Sequence, residues 1–296
     1  MSKKIAIIDL GTNTFHLLIA EGTKAVYKDE ITVKLGEGGI SKGVINELAM
    51  QRGLDTLTHY KGIIDKYKVD SIYAFGTSAL RNANNANEFI TVVQNRLGIT
   101  IEVIDGKREA EFIYWGIVAS GLLNKEISLI MDIGGGSVEF ILGTESKLIW
   151  RKSYELGAQR LLDNYVHSDP ISKNNQTLLY KYLKSELSDL KVKIDAYKPV
   201  QLIGASGTFH TIVHMLKGEK AESPVEVSNM DFEPLLQKIL QSTTQERMVI
   251  PGIPKGRENM IVPASILVKH VLTLGSFSGF NLSPYSMKEG ILASIS

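Results

Sequence analysis

Two aspartates carry the clearest chemical signal in this chain. Asp9 and Asp132 each close an apolar run; one apolar residue follows, then glycine, then small polar residues, then another apolar run. The stretches IIDLGTNTFHLLIAEG (7–22) and IMDIGGGSVEFILGTE (130–145) are altered copies of each other, 123 positions apart. A turn between two strands can aim consecutive backbone N–H groups at one anion only where side chains stay out of the way. Gly11, Gly134, Gly135 and Gly136 allow that approach, and Thr12, Asn13, Thr14 and Ser137 complete the two turns, with hydroxyl donors on Thr12, Thr14 and Ser137. Such a loop cradles phosphate without a lysine. An aspartate beside it would repel the same anion unless a cation lay between them, so Asp9 and Asp132 point to Mg²⁺, which prefers hard oxygen ligands. One turn of this kind reads equally well as a plain hairpin. Two copies, each opening an α/β unit, read as a clamp on a polyphosphate.

The elements that must hold these turns follow from hydrophobic periodicity. KIAIIDL, FHLLIAEG and AVYKDEITVKLGEGG predict strands with tight turns, and INELAMQRGLDTLTHYKGIIDKY predicts a helix with Leu48, Leu54, Leu57 and Ile64 on one face. VDSIYAFGTSAL reads as a buried strand entering a loop, NEFITVVQNRLG as a helix closed by Gly98, ITIEVID as a strand and KREAEFIYWGIVASGLL as a helix. A second unit opens near Lys125 with the same strand–turn–strand order. A long amphipathic helix follows over NQTLLYKYLKSELSDLKVKIDAY, its Leu179, Leu183, Leu187, Leu190 and Ile194 forming a core stripe. PVQLIGASGTFHTIVHML then gives a strand, a glycine turn and a helix start, and helices end the chain. The fold class is α/β: two similar domains, residues 1–124 and 125–296, with a cleft between them and a last helix over about residues 285–296 that can pack back onto the first.

Composition excludes several alternatives. Lys plus Arg is 33 and Asp plus Glu is 32, so no bulk field draws a nucleic acid duplex or a membrane. There is no cysteine, which removes thiolate catalysis and cysteine metal sites. The apolar start stops at Asp9, too short for a signal peptide, and no run reaches the ~18–20 residues of a membrane span. A cytoplasmic location is the expectation. His210 and His214, four apart on a helix, read as packed or solvated rather than as zinc ligands.

The wording of the motifs is more specific still. The duplicated fold resembles the actin, sugar-kinase and heat-shock-chaperone ATPase superfamily, with ribonuclease H-like domains. Within it, FGTSALRNANN, VIDGKREAEFIYWG, MDIGGGSVEF, GASGTFHTI and ERMVIPGIPKGRENMIVPASIL, in this order, resemble the exopolyphosphatase and guanosine pentaphosphate phosphatase (Ppx/GppA) family in its short two-domain form. The resemblance implies that Ser78 and Arg81 contact a phosphoryl group, and that Glu109 is the base that activates water, with Glu111 near enough to compete. It also implies that Asp132 is the Mg²⁺ ligand, that Glu139 assists the metal or the water, and that Ser206, Gly207 and Thr208 form a third phosphate loop. The chain departs from the family pattern at Arg108, at Glu258 and Asn259 (where the family reads Ala-Asp after the arginine kept here as Arg257), at Ala264 and in YSMKEG, which includes Lys288. These departures are expected to lie away from the phosphate loops and to bear on interdomain packing or substrate-tail recognition.

The function implied is Mg²⁺-dependent release of the terminal phosphate of a phosphoanhydride, from inorganic polyphosphate first and guanosine pentaphosphate second, by a homodimer. The alternatives are a sugar or acetate kinase of the same superfamily, for which no adenine motif is visible, and a non-catalytic sensor of polyphosphate or guanosine tetraphosphate. Glu109 and Asp132, both present, favour the enzyme.

Overall fold

The computed structural model describes residues 3–219 and 221–295. The chain divides into two compact units, one running to Ala119 and resuming at Met287, the other spanning Ser120–Ser286. In the first, β1 (Lys4–Leu10), β2 (Thr14–Glu21) and β3 (Lys24–Thr32) form an antiparallel meander. The chain then passes through α1 (Glu47–Tyr67), β4 (Ser71–Gly76), α2 (Ser78–Asn82), α3 (Ala86–Leu97), β5 (Ile101–Val103) and α4 (Gly106–Ala119). The sheet order is β3-β2-β1-β4-β5, with β4 and β5 parallel to β1. Ala6, Ile8 and Leu10 alternate onto the face packed by Leu54, Leu57 and Tyr60 of α1. Ile7 is also fully buried, so β1 reads as a continuous apolar run covered on both faces.

The second unit repeats this plan. It contains β6 (Ser128–Ile133), β7 (Val138–Gly143), β8 (Leu148–Tyr154), α5 (Ala158–Tyr165), α6 (Lys173–Glu186) and α7 (Ser188–Tyr197). It continues with β9 (Gln201–Ala205), α8 (Ser206–Lys217), β10 (Val225–Ser228), α9 (Asn229–Gln241), α10 (Thr244–Met248), α11 (Ile261–Gly275) and β11 (Gly279–Leu282). Its sheet order, β8-β7-β6-β9-β11-β10, matches the first strand for strand and adds β10 at the edge. The class is therefore α/β with two units of similar topology. The last helix, α12 (Met287–Ile295), belongs to the first unit and crosses α4 closely: Gly290 lies against the Phe112 carbonyl and the Gly116 amide with no room for a Cβ. Buried Glu289 anchors α12 to β3 through Lys28 Nζ at 2.9 Å.

Three sequence expectations change. Leu48 is 75% exposed, because nine residues separate it from Leu57 and at 100° per residue that places the two on opposite faces of α1. The single long helix is two, α6 and α7, with a break at Leu187; the hydrogen bonds Leu187 N–Leu183 O and Lys191 N–Leu187 O, both 3.0 Å, keep the leucine stripe continuous and buried. Asp189 marks the turn, since Tyr154 Oη and Lys152 Nζ hold its carboxylate at 2.8 and 2.5 Å in the first turn of α7. Residues Ser120–Asn124 group with the second unit, where Asn124 O accepts from Glu145 N at 2.8 Å.

Candidate active site

Within each unit taken by itself, the residues singled out from sequence lie at or near the carboxyl ends of parallel strands, where open α/β sheets bind ligands. In the first unit, β1 runs into Gly11, Thr12, Asn13 and Thr14, and the turn closes with Gly11 N donating to Thr14 O at 3.2 Å. A Cβ on Gly11 would lie 2.7 Å from that same carbonyl, so no other residue fits without moving the turn. The segment after β3 covers it: Gly36 N donates to Thr12 O, and Val33 N and Lys34 N donate to Asn13 O, at 2.8–2.9 Å. Thr12, Asn13 and Thr14 are all buried.

Next along the sheet, Thr77 N and Oγ1 both donate to Leu10 O at 3.3 Å, which fixes the start of α2 beside the first turn. Ser78 is buried there and accepts from Asn82 Nδ2 at 3.2 Å. One turn on, Arg81 Nη1 donates to Glu109 Oε2 at 2.8 Å and to Ile104 O at 3.1 Å. Glu109 is only 8% exposed and stands in the first turn of α4. Glu111, two residues later, is rotated by about 200° on the helix and faces elsewhere. Arg108 turns outward, paired with Glu102 and stacked over Phe75 and Phe112.

The second unit builds the equivalent turn, with Gly134 N donating to Ser137 O at 3.0 Å. Here the carbonyls are occupied from one side: Ala158 N binds Gly134 O, Gln159 N binds Gly135 O and Arg160 Nε binds Gly136 O, each at 2.9 Å. Gly157 brings α5 this close because a Cβ would collide with Gly135 and Gly136. In a trans peptide the N–H points opposite to the preceding C=O, so the amides of Gly135 and Gly136 are turned away from α5, as an anion cradle requires.

Beneath that turn, Asp132 and Glu139 are cross-strand partners on the same face of the sheet, 6% and 1% exposed. Asp132 Oδ2 accepts from Ser286 Oγ at 2.6 Å, and Glu139 Oε1 from Ser153 Oγ at 2.7 Å. In the first unit Asp9 faces His16 instead, so the paired carboxylates belong to the second copy alone. Facing like charges are unfavourable by themselves, and a cation between them reverses the sign. Among the described residues no three acidic or histidine side chains converge on a metal position. Two carboxylates do not make a closed cage for a metal. They do suit Mg²⁺, which keeps several waters and is held by one or two carboxylates plus phosphate oxygens.

The third loop sits at the end of β9. Ser206 has φ +70°, and its hydroxyl donates to Ile133 O at 3.0 Å, tying α8 to the strand that carries Asp132. The Arg257 guanidinium lies on Gly207 where a Cβ would be, and Thr208 is buried one residue further. One of the sequence departures therefore touches the site rather than lying away from it, since Ser286 of YSMKEG binds Asp132; Arg257, the arginine that the family pattern keeps, packs on Gly207. Sequence reading missed Ser153, Ser286 and Arg160. Strand alternation could have put Ser153 on a face, but its pairing with Glu139 depends on register, and the other two come from distant segments.

The model of the Ppx/GppA phosphatase family matches residues 18–296, and the chain belongs to that family. It is 25% identical to exopolyphosphatase 1 of Mycobacterium leprae, over 98% of this chain and 88% of that one. It is 31% identical to the bifunctional 3-dehydroquinate synthase/phosphatase of Fusobacterium nucleatum, covering 90% of this chain but 43% of that longer protein. Among solved structures, an exopolyphosphatase from Cytophaga hutchinsonii superposes with a TM-score of 0.96 at 39% identity, covering 99% and 97% of the two chains. An Aquifex aeolicus family member shares the fold, with a TM-score of 0.83. This chain is thus a phosphoanhydride hydrolase of the Ppx/GppA family.

Proposed function

We propose that the protein is a Mg²⁺-dependent exopolyphosphatase that removes terminal orthophosphate from inorganic polyphosphate. The observation that carries this reading is the pair of half-buried Arg81 with buried Glu109 at 2.8 Å, beside the Gly11 turn. An arginine fork has five N–H donors. The same guanidinium can therefore orient Glu109 and meet the oxygens of a phosphoryl group as charge develops on them. In this reading Ser78 and the backbone amides of the Gly11 and Gly134 turns, with Ser137, hold the phosphates, and the Ser206–Thr208 loop adds a third anchor. Glu109 takes a proton from the attacking water at its carboxylate oxygen. Asp132 and Glu139 would hold the metal, with Asp9 as a further carboxylate near the first turn. When bound, Mg²⁺ neutralises charge on the phosphoryl oxygens. The acceleration comes from positioning and from fixed donors rather than from covalent chemistry.

Polyphosphate is the preferred substrate because relatives that match this chain nearly end to end, in Mycobacterium leprae and Cytophaga hutchinsonii, are exopolyphosphatases. The homodimeric, cytoplasmic state that the family resemblance implies belongs to the same proposal; among the described residues no helix is long and apolar enough to cross a membrane. Parallel assays of phosphate release from long-chain polyphosphate and guanosine pentaphosphate, with and without Mg²⁺, test the reading. It expects Mg²⁺-dependent release with polyphosphate turned over faster; turnover of guanosine pentaphosphate alone would overturn the substrate, and release without divalent metal would overturn the cofactor.

A further inference from the structure

Asp132 and Glu139 do not stand alone in their sheet. Asp132 of β6, Glu139 of β7 and Ser153 of β8 are successive partners in one row across three strands. Ser153 therefore reaches Glu139 from the next strand, and its hydroxyl is 2.7 Å from Oε1. Ser286 reaches Asp132 differently, from the segment that leaves β11. That segment is itself fixed: Ser283, fully buried, donates from its N–H to Gly204 O at 2.9 Å and from its Oγ to Tyr285 O at 2.7 Å, and accepts from Tyr285 N at 3.1 Å. The tight turn delivers Ser286 Oγ to 2.6 Å from Asp132 Oδ2.

The duplicated topology gives this placement meaning. In the first unit β1, β4 and β5 end at the Gly11 turn, at Ser78 and just before α4 with Glu109; in the second, β6, β9 and β11 end at the Gly134 turn, at Ser206 and before Ser286. Ser286 thus occupies, in the second copy, the outlet of the strand that in the first copy leads to Glu109.

We infer that Ser153 and Ser286 are positioning residues for a divalent cation: each donates a short hydrogen bond to one oxygen of a buried carboxylate and fixes its torsion, so that Asp132 and Glu139 are oriented together before the metal arrives. This rests on the reading that these two carboxylates hold the metal. Hydrogen bonds of hydroxyl to carboxylate at this length are strong. Partners of metal-ligating carboxylates typically change metal affinity 10–100-fold when removed.

The test is Mn²⁺ binding followed by electron paramagnetic resonance on the full chain without substrate, for wild type, Ser286→Ala, Ser286→Thr, Ser153→Ala, Ser153→Thr and Asp132→Asn. The inference expects each alanine variant to bind Mn²⁺ at least about 10-fold more weakly, and each threonine variant, which restores the hydroxyl, to recover most of that loss. Wild-type affinity in both alanine variants overturns it, as does a threonine variant as weak as its alanine counterpart, because packing rather than the hydroxyl would then be responsible. Should one serine position fail to fold when altered, the other still decides. Failure of the underlying reading looks different: wild type would bind no Mn²⁺, or Asp132→Asn would bind it undiminished, and the inference would fall with it.

Discussion

Arg81 and Glu109 are joined by a 2.8 Å ion pair between two elements that sequence leaves 28 residues apart, and both side chains are largely withdrawn from solvent. Arg81 leaves the last turn of α2 and also binds Ile104 O, the residue after β5, so one guanidinium ties together the outlets of β4 and β5. Replacing it by alanine removes both the hold on Glu109 and the fork offered to phosphate. The expected loss in kcat/KM is on the order of 10²–10³-fold. Arg81→Lys should recover little of it, because a lysine cannot form two planar hydrogen bonds at once. Steady-state kinetics on the two variants, with circular dichroism to confirm folding, checks this.

Gly157 tests the second turn from the side of α5. Any Cβ there meets the backbone of Gly135 and Gly136, so Gly157→Ala must push α5 and the turn apart. Such overpacking costs ~1–3 kcal/mol. Thermal unfolding should show that loss, and phosphate release should fall with it. An alanine variant with unchanged activity and melting temperature would mean that α5 does not set the turn.

Arg247 anchors the segment before α11. Its buried guanidinium binds Glu258 O at 2.6 Å, Asp169 Oδ1 at 3.1 Å and Asn259 Oδ1 at 3.2 Å, which holds the segment that carries Arg257. Burial alone would raise the Asp169 carboxyl, but hydrogen bonds from Thr244 and the charge and hydrogen bond of Arg247 hold it below its ordinary 3.8. A carboxyl depressed in the folded state stabilises the fold above its unfolded pKa and loses that contribution as pH falls through the folded one. Acid unfolding of the wild type should therefore steepen below about pH 3.8, and Asp169→Asn should remove part of that steepness while leaving the slope near neutrality unchanged. Denaturant midpoints measured from neutral pH down to pH 3 or below decide it.

The leucine stripe offers a contrast within helices. Leu187 is fully buried at the α6–α7 break, and its truncation to alanine should cost ~2–5 kcal/mol. Leu48 is 75% exposed, and Leu48→Ala should stay within about 0.5 kcal/mol. Urea denaturation of both variants measures the difference.

Much of this arrangement was legible in the sequence because it is written locally. The two turns announce themselves as short Asp-x-Gly copies between apolar runs, and their backbone bonds, Gly11 N to Thr14 O and Gly134 N to Ser137 O, are equivalent in the structure. That internal repeat found the first turn, although the family match begins only at residue 18. What was not legible depends on register and on long-range approach. The Asp132–Glu139–Ser153 row exists only once three strands are aligned, and Ser286 meets Asp132 across 154 residues of chain. Leu48 was misplaced for a different reason: leucines scattered along a helix look like a stripe until their angular positions are counted.

The measurement closest to the central claim is the initial rate of orthophosphate release from long-chain polyphosphate by wild type and Glu109→Gln at saturating Mg²⁺. Glutamine keeps the shape of the side chain and a hydrogen-bond acceptor for Arg81, and loses only the capacity to take a proton. The account predicts a fall in kcat of on the order of 10²–10⁴-fold, with KM little changed. A variant that retains a tenth or more of the wild-type kcat would contradict Glu109 as the base.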